Sequence, residues 1–468
     1  MEAEATDLSR ISKLLLDRDQ MPLEEALARR QQFNLTLVCG ADVQHSYVLQ
    51  LAVLTAASIG VRCFPGAVQV ALPPSLRDAQ LRIWPTLGWT FQKALADILG
   101  PGKLLDLASD NIGGPALAFG DVPVSKKTLR VTFDGWVAKV GPSTNVPRLP
   151  EREYCSLAGV LAGALAMTEE FFSFAQINIE AGHRTVALSL WRPDMDASNT
   201  AALGVPVEHL PRELWVLGLG HLGNGYLWAL GTLPYSNPCE VEFALMDYDK
   251  IEKENAETGL IFQQNDRRYK TRACSEWLES RKFGTKLVER RFDATFRRHS
   301  KEAALALCGF DSIPSRRDLE TADFSRVVET GLGGTMNNFD TINLHTLPHP
   351  RPLKELWPDL SPEEQQRQHL HQEEIAKTNK AYTRIPGNEC GRYELAGKSV
   401  AVPFVGAAAG ALVAAEVLRI AHDGVRFTDL KIRLGAVQNR TFQSRGIYGV
   451  NDLNELTFSR ARLLENEK

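Results

Sequence analysis

Three glycines, Gly218, Gly220 and Gly223, form the pattern GxGxxG where the apolar run Leu214-Trp-Val-Leu gives way to a helix-like stretch. At such a strand-to-helix turn the first glycine permits a tight bend. The next lets the backbone approach a phosphate at the helix N-terminus. Alone, the triplet also suits plain strand–helix packing. The residues after it narrow the reading. The next strand-like run, Val241-Glu-Phe-Ala-Leu-Met, ends on Asp247-Tyr-Asp249. An acid at that strand end is placed to hold a pair of ribose hydroxyls. A nicotinamide enzyme needs that one carboxylate. Here Asp249, Asn255 and Lys270 follow, and a lysine with an amide converging on one pocket suits a triphosphate better. Asp311, just past the strand-like run Ala-Leu-Ala-Leu-Cys-Gly-Phe, is placed to hold Mg²⁺ against phosphates. No GxxxxGK[ST] loop occurs, which excludes an ordinary P-loop ATPase.

The cysteines are the candidate nucleophiles. Cys39, Cys63 and Cys308 lie in apolar strand-like runs, where a small buried hydrophobe is the ordinary reading. Cys155 and Cys274 read as helical. Cys239 precedes a strand and rivals the choice made here, Cys390, in the polar stretch Pro386-Gly-Asn-Glu-Cys-Gly. A polar loop leaves a thiol open to solvent and substrate, and an ordinary thiol pKa of about 8.5 calls for local activation. The histidines form no metal pattern: Pro348 separates His345 from His349, and His369 and His371 fall on different sides of a helix.

These residues need a doubly wound α/β sheet to converge, and the chain reads as two such halves. Leu35-Thr-Leu-Val-Cys-Gly followed by a helix from Tyr47 parallels Leu214-Trp-Val-Leu-Gly-Leu-Gly followed by a helix over 222–230. A second echo aligns Gly159, Gly163 and Glu169 with Gly406, Gly410 and Glu416. Two echoes in one order point to a duplicated unit, with domains at 1–205 and 206–468. In the first half Cys39, Ala41 and Gln44 fill the glycine slots, and no acid–asparagine–lysine series follows. A polar insertion over 345–398, with a helix near 362–377, precedes the small-residue helix near 402–419.

With 468 residues, 44% hydrophobic and 24% charged, the composition is that of a globular two-domain protein. A net charge of −4 provides no footprint for nucleic acid or an anionic membrane. The acidic start lacks an apolar run, and Glu416 and Arg419 mark the late apolar stretch as a buried helix rather than a span. Seven cysteines without a CxxC pair point to a reducing, cytoplasmic setting and exclude a CxxC…CxxC zinc site.

GLGHLGNG, LMDYDKIEKEN, the following Lys270 and GFDSIPSRRDLE resemble the motifs of the ThiF/E1 superfamily. The match runs from 214 to 317, and the helix near 402–419 is similar to the family's late packing helix. Without other domains attached, the chain is most similar to the stand-alone E1 of bacterial Bil-type ubiquitin-like conjugation operons. The resemblance implies two Rossmann-like halves, the first an inactive adenylation domain. It implies ATP and Mg²⁺, with Gly218, Gly220 and Gly223 at the turn and Asp247 on the ribose. Asp249, Asn255 and Lys270 then meet the phosphates, and Asp311 organises the metal. It further implies adenylation of a ubiquitin-like protein's C-terminal glycine, a thioester on a cysteine in the crossing segment, which holds Cys390, and transfer to an E2-like partner. One position departs: Thr258 stands where the family has arginine, and Arg29, Arg30, Arg267 and Arg268 are candidate substitutes. Three alternatives stay open. A sulfur-carrier adenylyltransferase is disfavoured by the absent CxxC pairs, an NAD(P) oxidoreductase leaves Asp249, Asn255, Lys270 and Asp311 idle, and an inactive scaffold is kept open by Thr258.

Overall fold

The computed structural model describes residues 9–83, 88–107, 114–123, 125, 127–263, 265–385, 389–453, 455–462 and 464, with the backbone alone at 389–391, 394 and 450. Two sheets of the same winding organise it. In the first, the spatial order is Leu104–Asp106, Val68–Leu72, Leu35–Cys39, Ala116–Phe119, Thr128–Asp134, Val137–Pro142 and Val186–Ser189. The first five run parallel and the last two antiparallel. In the second, Gly284–Val288, Glu242–Met246, Glu213–Leu217, Leu305–Cys308 and Arg326–Leu332 are parallel. Thr341–Leu347, Val425–Arg433 and Thr441–Ile447 continue it antiparallel. The chain is thus an α/β protein with two Rossmann-like, doubly wound halves. The central strands Leu35–Cys39 and Leu305–Cys308 are buried along their whole length, which is why they read as unbroken apolar runs.

The small-residue helices let backbones touch. A Cβ on Gly410 would lie 2.1 Å from the Gly225 carbonyl oxygen, and one on Gly225 would lie 2.0 Å from that of Gly406. Helix Pro403–Ala421 therefore crosses His221–Gly231 at glycine-to-glycine range. In the first half Leu157–Phe174 crosses Tyr47–Cys63 in the same way, Gly159 facing Val48 and Gly163 facing Ala52. The echoed acids share a role as well. Glu169 pairs with Arg184, and Glu416 pairs with Arg419 and accepts from the Tyr448 hydroxyl, all within the interior. Both long apolar helices, Leu157–Phe174 and Pro403–Ala421, reach membrane-spanning length and hydropathy, yet both are packed inside the protein.

Some local expectations shift. Cys63 closes a helix rather than a strand, and Cys155 sits in the turn before one. The polar insertion expected from 345 begins later, because His345 belongs to the strand Thr341–Leu347. Within it, helices Pro362–Thr378 and Glu389–Gly397 pack together. The loop expected around Cys390 ends at Glu389, where a helix starts, so the Cys390 backbone is in a first turn. Residues 386–388 and the Cys390 side chain lie outside the described residues.

Candidate active site

A cavity of about 620 Å³ opens at the carboxyl ends of Glu213–Leu217, Glu242–Met246 and Leu305–Cys308, where the strand order reverses. Gly218 bends the chain with φ +80°, a left-handed conformation that favours glycine. Gly223 must be glycine for a different reason, since its Cβ would strike the Gly218 carbonyl oxygen at 2.1 Å. A Cβ on Gly220 would meet nothing within 4 Å. Helix His221–Gly231 starts there with no side-chain cap, so its first amides are left for a ligand. Buried Asn224 braces the turn, donating to the carbonyls of Leu219 and Gly220 and accepting from Ile261.

Asp247 accepts from the Leu219 amide at 2.7 Å and the Asp249 amide at 2.8 Å, one on each oxygen. Each oxygen keeps a lone pair for a hydroxyl. Burial raises this carboxyl above the usual range, against the pull of Lys270 and the two amides. Lys270, itself buried, donates to Asp249 at 2.9 Å. Burial alone would lower its ammonium pKa, but Asp247 and Asp249 outweigh it and hold the group above its ordinary value. Asn255 caps helix Lys253–Thr258 by accepting from the Glu252 amide at 2.9 Å. Its amide nitrogen is not used in that cap. Asp311 is exposed at the cavity rim. The structure therefore gathers Gly218, Gly220, Asp247, Asp249, Asn255, Lys270 and Asp311 around one space.

Thr258, where the resemblance implies an arginine, does not line the cavity. The buried Thr258 hydroxyl donates to the Glu254 carbonyl of its own helix. Among the described residues, none of Arg29, Arg30, Arg267 and Arg268 lines the cavity. Arg30 is buried and binds Glu257 at 2.7 Å, holding helix Lys253–Thr258 against the first half. Arg29 donates to the Phe174 carbonyl, and Arg267 and Arg268 are tied to Asp266. Arginines that do line the cavity are Arg10, Arg290, Arg291 and Arg316, and Arg10, which comes from the first half, donates to Ser399 through Nε at 3.0 Å. Burial lowers its pKa, while Glu254, Asp311 and Glu257 oppose that drop. His221, at the first helical position, was also not singled out from the sequence. Its Nε2 is shielded and has no partner among the described residues, and burial together with Arg10 lowers its pKa to about 3.

At the corresponding turn of the first half, the protein's own side chains take up the backbone amides. Ser46 caps helix Tyr47–Cys63, and the Glu153 carboxylate accepts from the Ser46 hydroxyl at 2.5 Å and the Val48 amide at 2.9 Å. Asp42 accepts from the Asp121 amide at 2.9 Å and pairs with Arg148 at 2.5 Å. Of the cysteines, Cys39, Cys63, Cys155, Cys274 and Cys308 are buried and Cys239 is exposed. No group of three or more His, Cys, Asp or Glu side chains suited to a metal occurs among the described residues.

The chain is 34% identical over 434 residues to the bacterial E1-like protein BilD of Collimonas sp. (strain OK412), covering 90% of each. It belongs to the BilD family. Residues 34–190 match the BilD N-terminal domain and 210–424 the BilD C-terminal domain. Among solved structures, Escherichia coli MccB is similar at 12% identity, over 70% of this chain and 94% of that one, with a TM-score of 0.33. The E. coli tRNA N6-threonylcarbamoyladenosine dehydratase TcdA is similar at 14% identity over 44% and 84%, with a TM-score of 0.28. As a BilD-family member the chain is an E1-like protein.

Proposed function

We propose that this protein uses ATP to activate the C-terminal carboxylate of a ubiquitin-like protein ending in glycine, captures the acyl group on Cys390 and passes it to an E2-like partner. The observation that carries this reading is the convergence of the uncapped helix at His221, Asp247, the Asp249–Lys270 pair, Asn255, Arg10 and Asp311 on one cavity. Asp247 would hold the ribose of ATP. Lys270, Asn255 and Arg10 would neutralise the phosphates, Arg10 standing in for the arginine absent at Thr258. A carrier carboxylate oxygen attacks the α-phosphorus, the bond to the bridging oxygen breaks, and pyrophosphate leaves. The Cys390 thiolate then adds to the acyl carbon and AMP departs, leaving a thioester.

Asp311 fits Mg²⁺. A single exposed carboxylate beside a phosphate site suits an ion that keeps waters and takes its other ligands from substrate. When bound, that ion supplies charge neutralisation to the phosphates. The first half would bind no nucleotide, since Glu153 and Asp42 take up the positions a phosphate would need.

The test is carrier-dependent ATP–pyrophosphate exchange beside a non-reducing gel. Asp311→Ala should lower exchange by about a hundredfold or more while circular dichroism stays unchanged. Cys390→Ala should keep the exchange and lose the reductant-sensitive enzyme–carrier adduct, whereas Cys239→Ala behaves as wild type. If the adduct persists in Cys390→Ala and vanishes in Cys239→Ala, the cysteine is misassigned. Exchange at wild-type level in Asp311→Ala removes the metal role.

A further inference from the structure

Behind the cavity, a fully buried carboxylate faces a guanidinium that enters it. Arg316 lies in the last turn of the short helix Ile313–Arg317, and its Nε donates to the Phe310 carbonyl at 2.8 Å. Its guanidinium crosses strand Arg326–Leu332 at Gly331, where a Cβ would fall 2.6 Å from one terminal nitrogen and 3.2 Å from the other. No bulkier residue than glycine leaves that path open. The Nε lies 3.7 Å from Oε2 of Glu329, which is 0% exposed. The other oxygen of Glu329 is hydrogen-bonded to Nδ1 of His345, its direct partner on the antiparallel strand. His345 is wedged edge-on against Trp357, with ring centroids 5.7 Å apart, and beside His349, which is tied to Asp429 at 3.0 Å.

Among the described residues, neither terminal nitrogen of Arg316 has a hydrogen-bond partner, and the side chain shares the cavity wall with Asp311 and Ser312. Its ion partner is thus on the Nε side, leaving the donor fork free. A buried ion pair adds little net stability over an apolar pair of the same size. What it can fix is direction, because a guanidinium offers its two terminal N–H groups only along one edge.

We propose that Glu329 and His345 are positioning residues that aim Arg316 so that its terminal nitrogens hold an oxyanion of the nucleotide's phosphate chain. This rests on the nucleotide-binding reading above. Glu329 acts only through Arg316, and His345 acts only by fixing Glu329.

Calorimetric titration of the full-length protein with ATP, and separately with AMP, tests this, with thermal midpoints recorded in parallel. Arg316→Ala should weaken ATP by about tenfold or more, the scale of lost charge-assisted hydrogen bonds, and AMP by less. Glu329→Gln keeps the shape and removes the charge, and should weaken ATP by about three- to tenfold. In an Arg316→Ala background the same change should add less than about twofold, since the group it aims is gone. His345→Gln, which keeps a donor for Glu329, should stay near wild type, while His345→Leu should follow Glu329→Gln. If Glu329→Gln lowers only the thermal midpoint, or its effect on ATP is undiminished without Arg316, the pair is a packing feature and the proposal falls. Wild-type affinity in Arg316→Ala overturns it as well. A wild-type protein that binds no ATP sinks the nucleotide reading itself, so the two failures are distinguishable.

Discussion

Arg10 and His221 meet in the same cavity, and together they tie its electrostatics to acid stability. His221 is held neutral, at a pKa of about 3, by burial first and by the Arg10 charge second. In the unfolded chain the same ring titrates near 6.5. Above that pH neither state binds the proton and His221 leaves stability unaffected. Between about 6.5 and 3 the unfolded chain binds a proton that the folded one refuses, so stability falls as the pH falls. His221→Gln should lose less stability than wild type between pH 7 and pH 4 in urea denaturation. Equal losses would show that the ring protonates in the folded protein. At this scale the sequence was informative where chemistry is local. Gly218, Asp247, Asp249, Asn255 and Lys270 lie within a 53-residue stretch and announce themselves by spacing. Arg10 had no such signal, because only the packing of one half against the other brings it to Ser399. Arg316 was visible inside GFDSIPSRRDLE but carried no assigned role, since its buried ion partner Glu329 lies outside that motif, on the strand Arg326–Leu332.

Helices and strands were the most legible level. Of the paired echoes, Leu35 and Leu214 fall on the third strand of their sheets, and Gly159 and Gly406 on the helix between the sixth and seventh strands of each. Small residues three and four apart meant helix crossings, and the measured approaches of about 2 Å from a hypothetical Cβ to a carbonyl give the reason. Gly410→Val should therefore push Pro403–Ala421 away from His221–Gly231 and cost on the order of 3 kcal/mol. The expected result is a lower thermal midpoint together with weaker ATP binding, because His221–Gly231 carries the uncapped amides. An unchanged midpoint would mean that the crossing relaxes without cost. Boundaries in the polar insertion were the least legible. Helix Pro362–Thr378 is exposed along most of its length and stands out by its Ser361–Glu364 capping box rather than by an apolar face. The stretch from Glu389 mixes polar and small residues, which gave its helix the look of a loop.

Across the whole molecule the two halves share one winding but differ at the α-helix that follows Leu35–Cys39 in one and Glu213–Leu217 in the other. His221–Gly231 leaves its N-terminus open, whereas Tyr47–Cys63 closes its own with Ser46 and Glu153. Calorimetry should accordingly find one ATP per chain, and a stoichiometry of two would contradict the reading of the capped first-half helix as closed to nucleotide. Removing residues 1–205 should abolish ATP binding as well as stability, since Arg10 goes with them and Arg30 and Arg62 no longer hold Glu257 and the carbonyls of Gly259 and Leu260. The Arg10–Ser399 contact also bears on synthesis. It joins positions 389 residues apart, so the arginine leaves the ribosome early and the residue that fixes it emerges only near the end. A nascent chain that already carries Arg10, the glycine turn, Asp247, Asp249 and Lys270 would still lack Ser399, which holds the arginine at the cavity. On the proposal that Arg10 meets the phosphates, a prematurely terminated product should bind ATP more weakly, and only a nearly complete polypeptide would set that arginine in place.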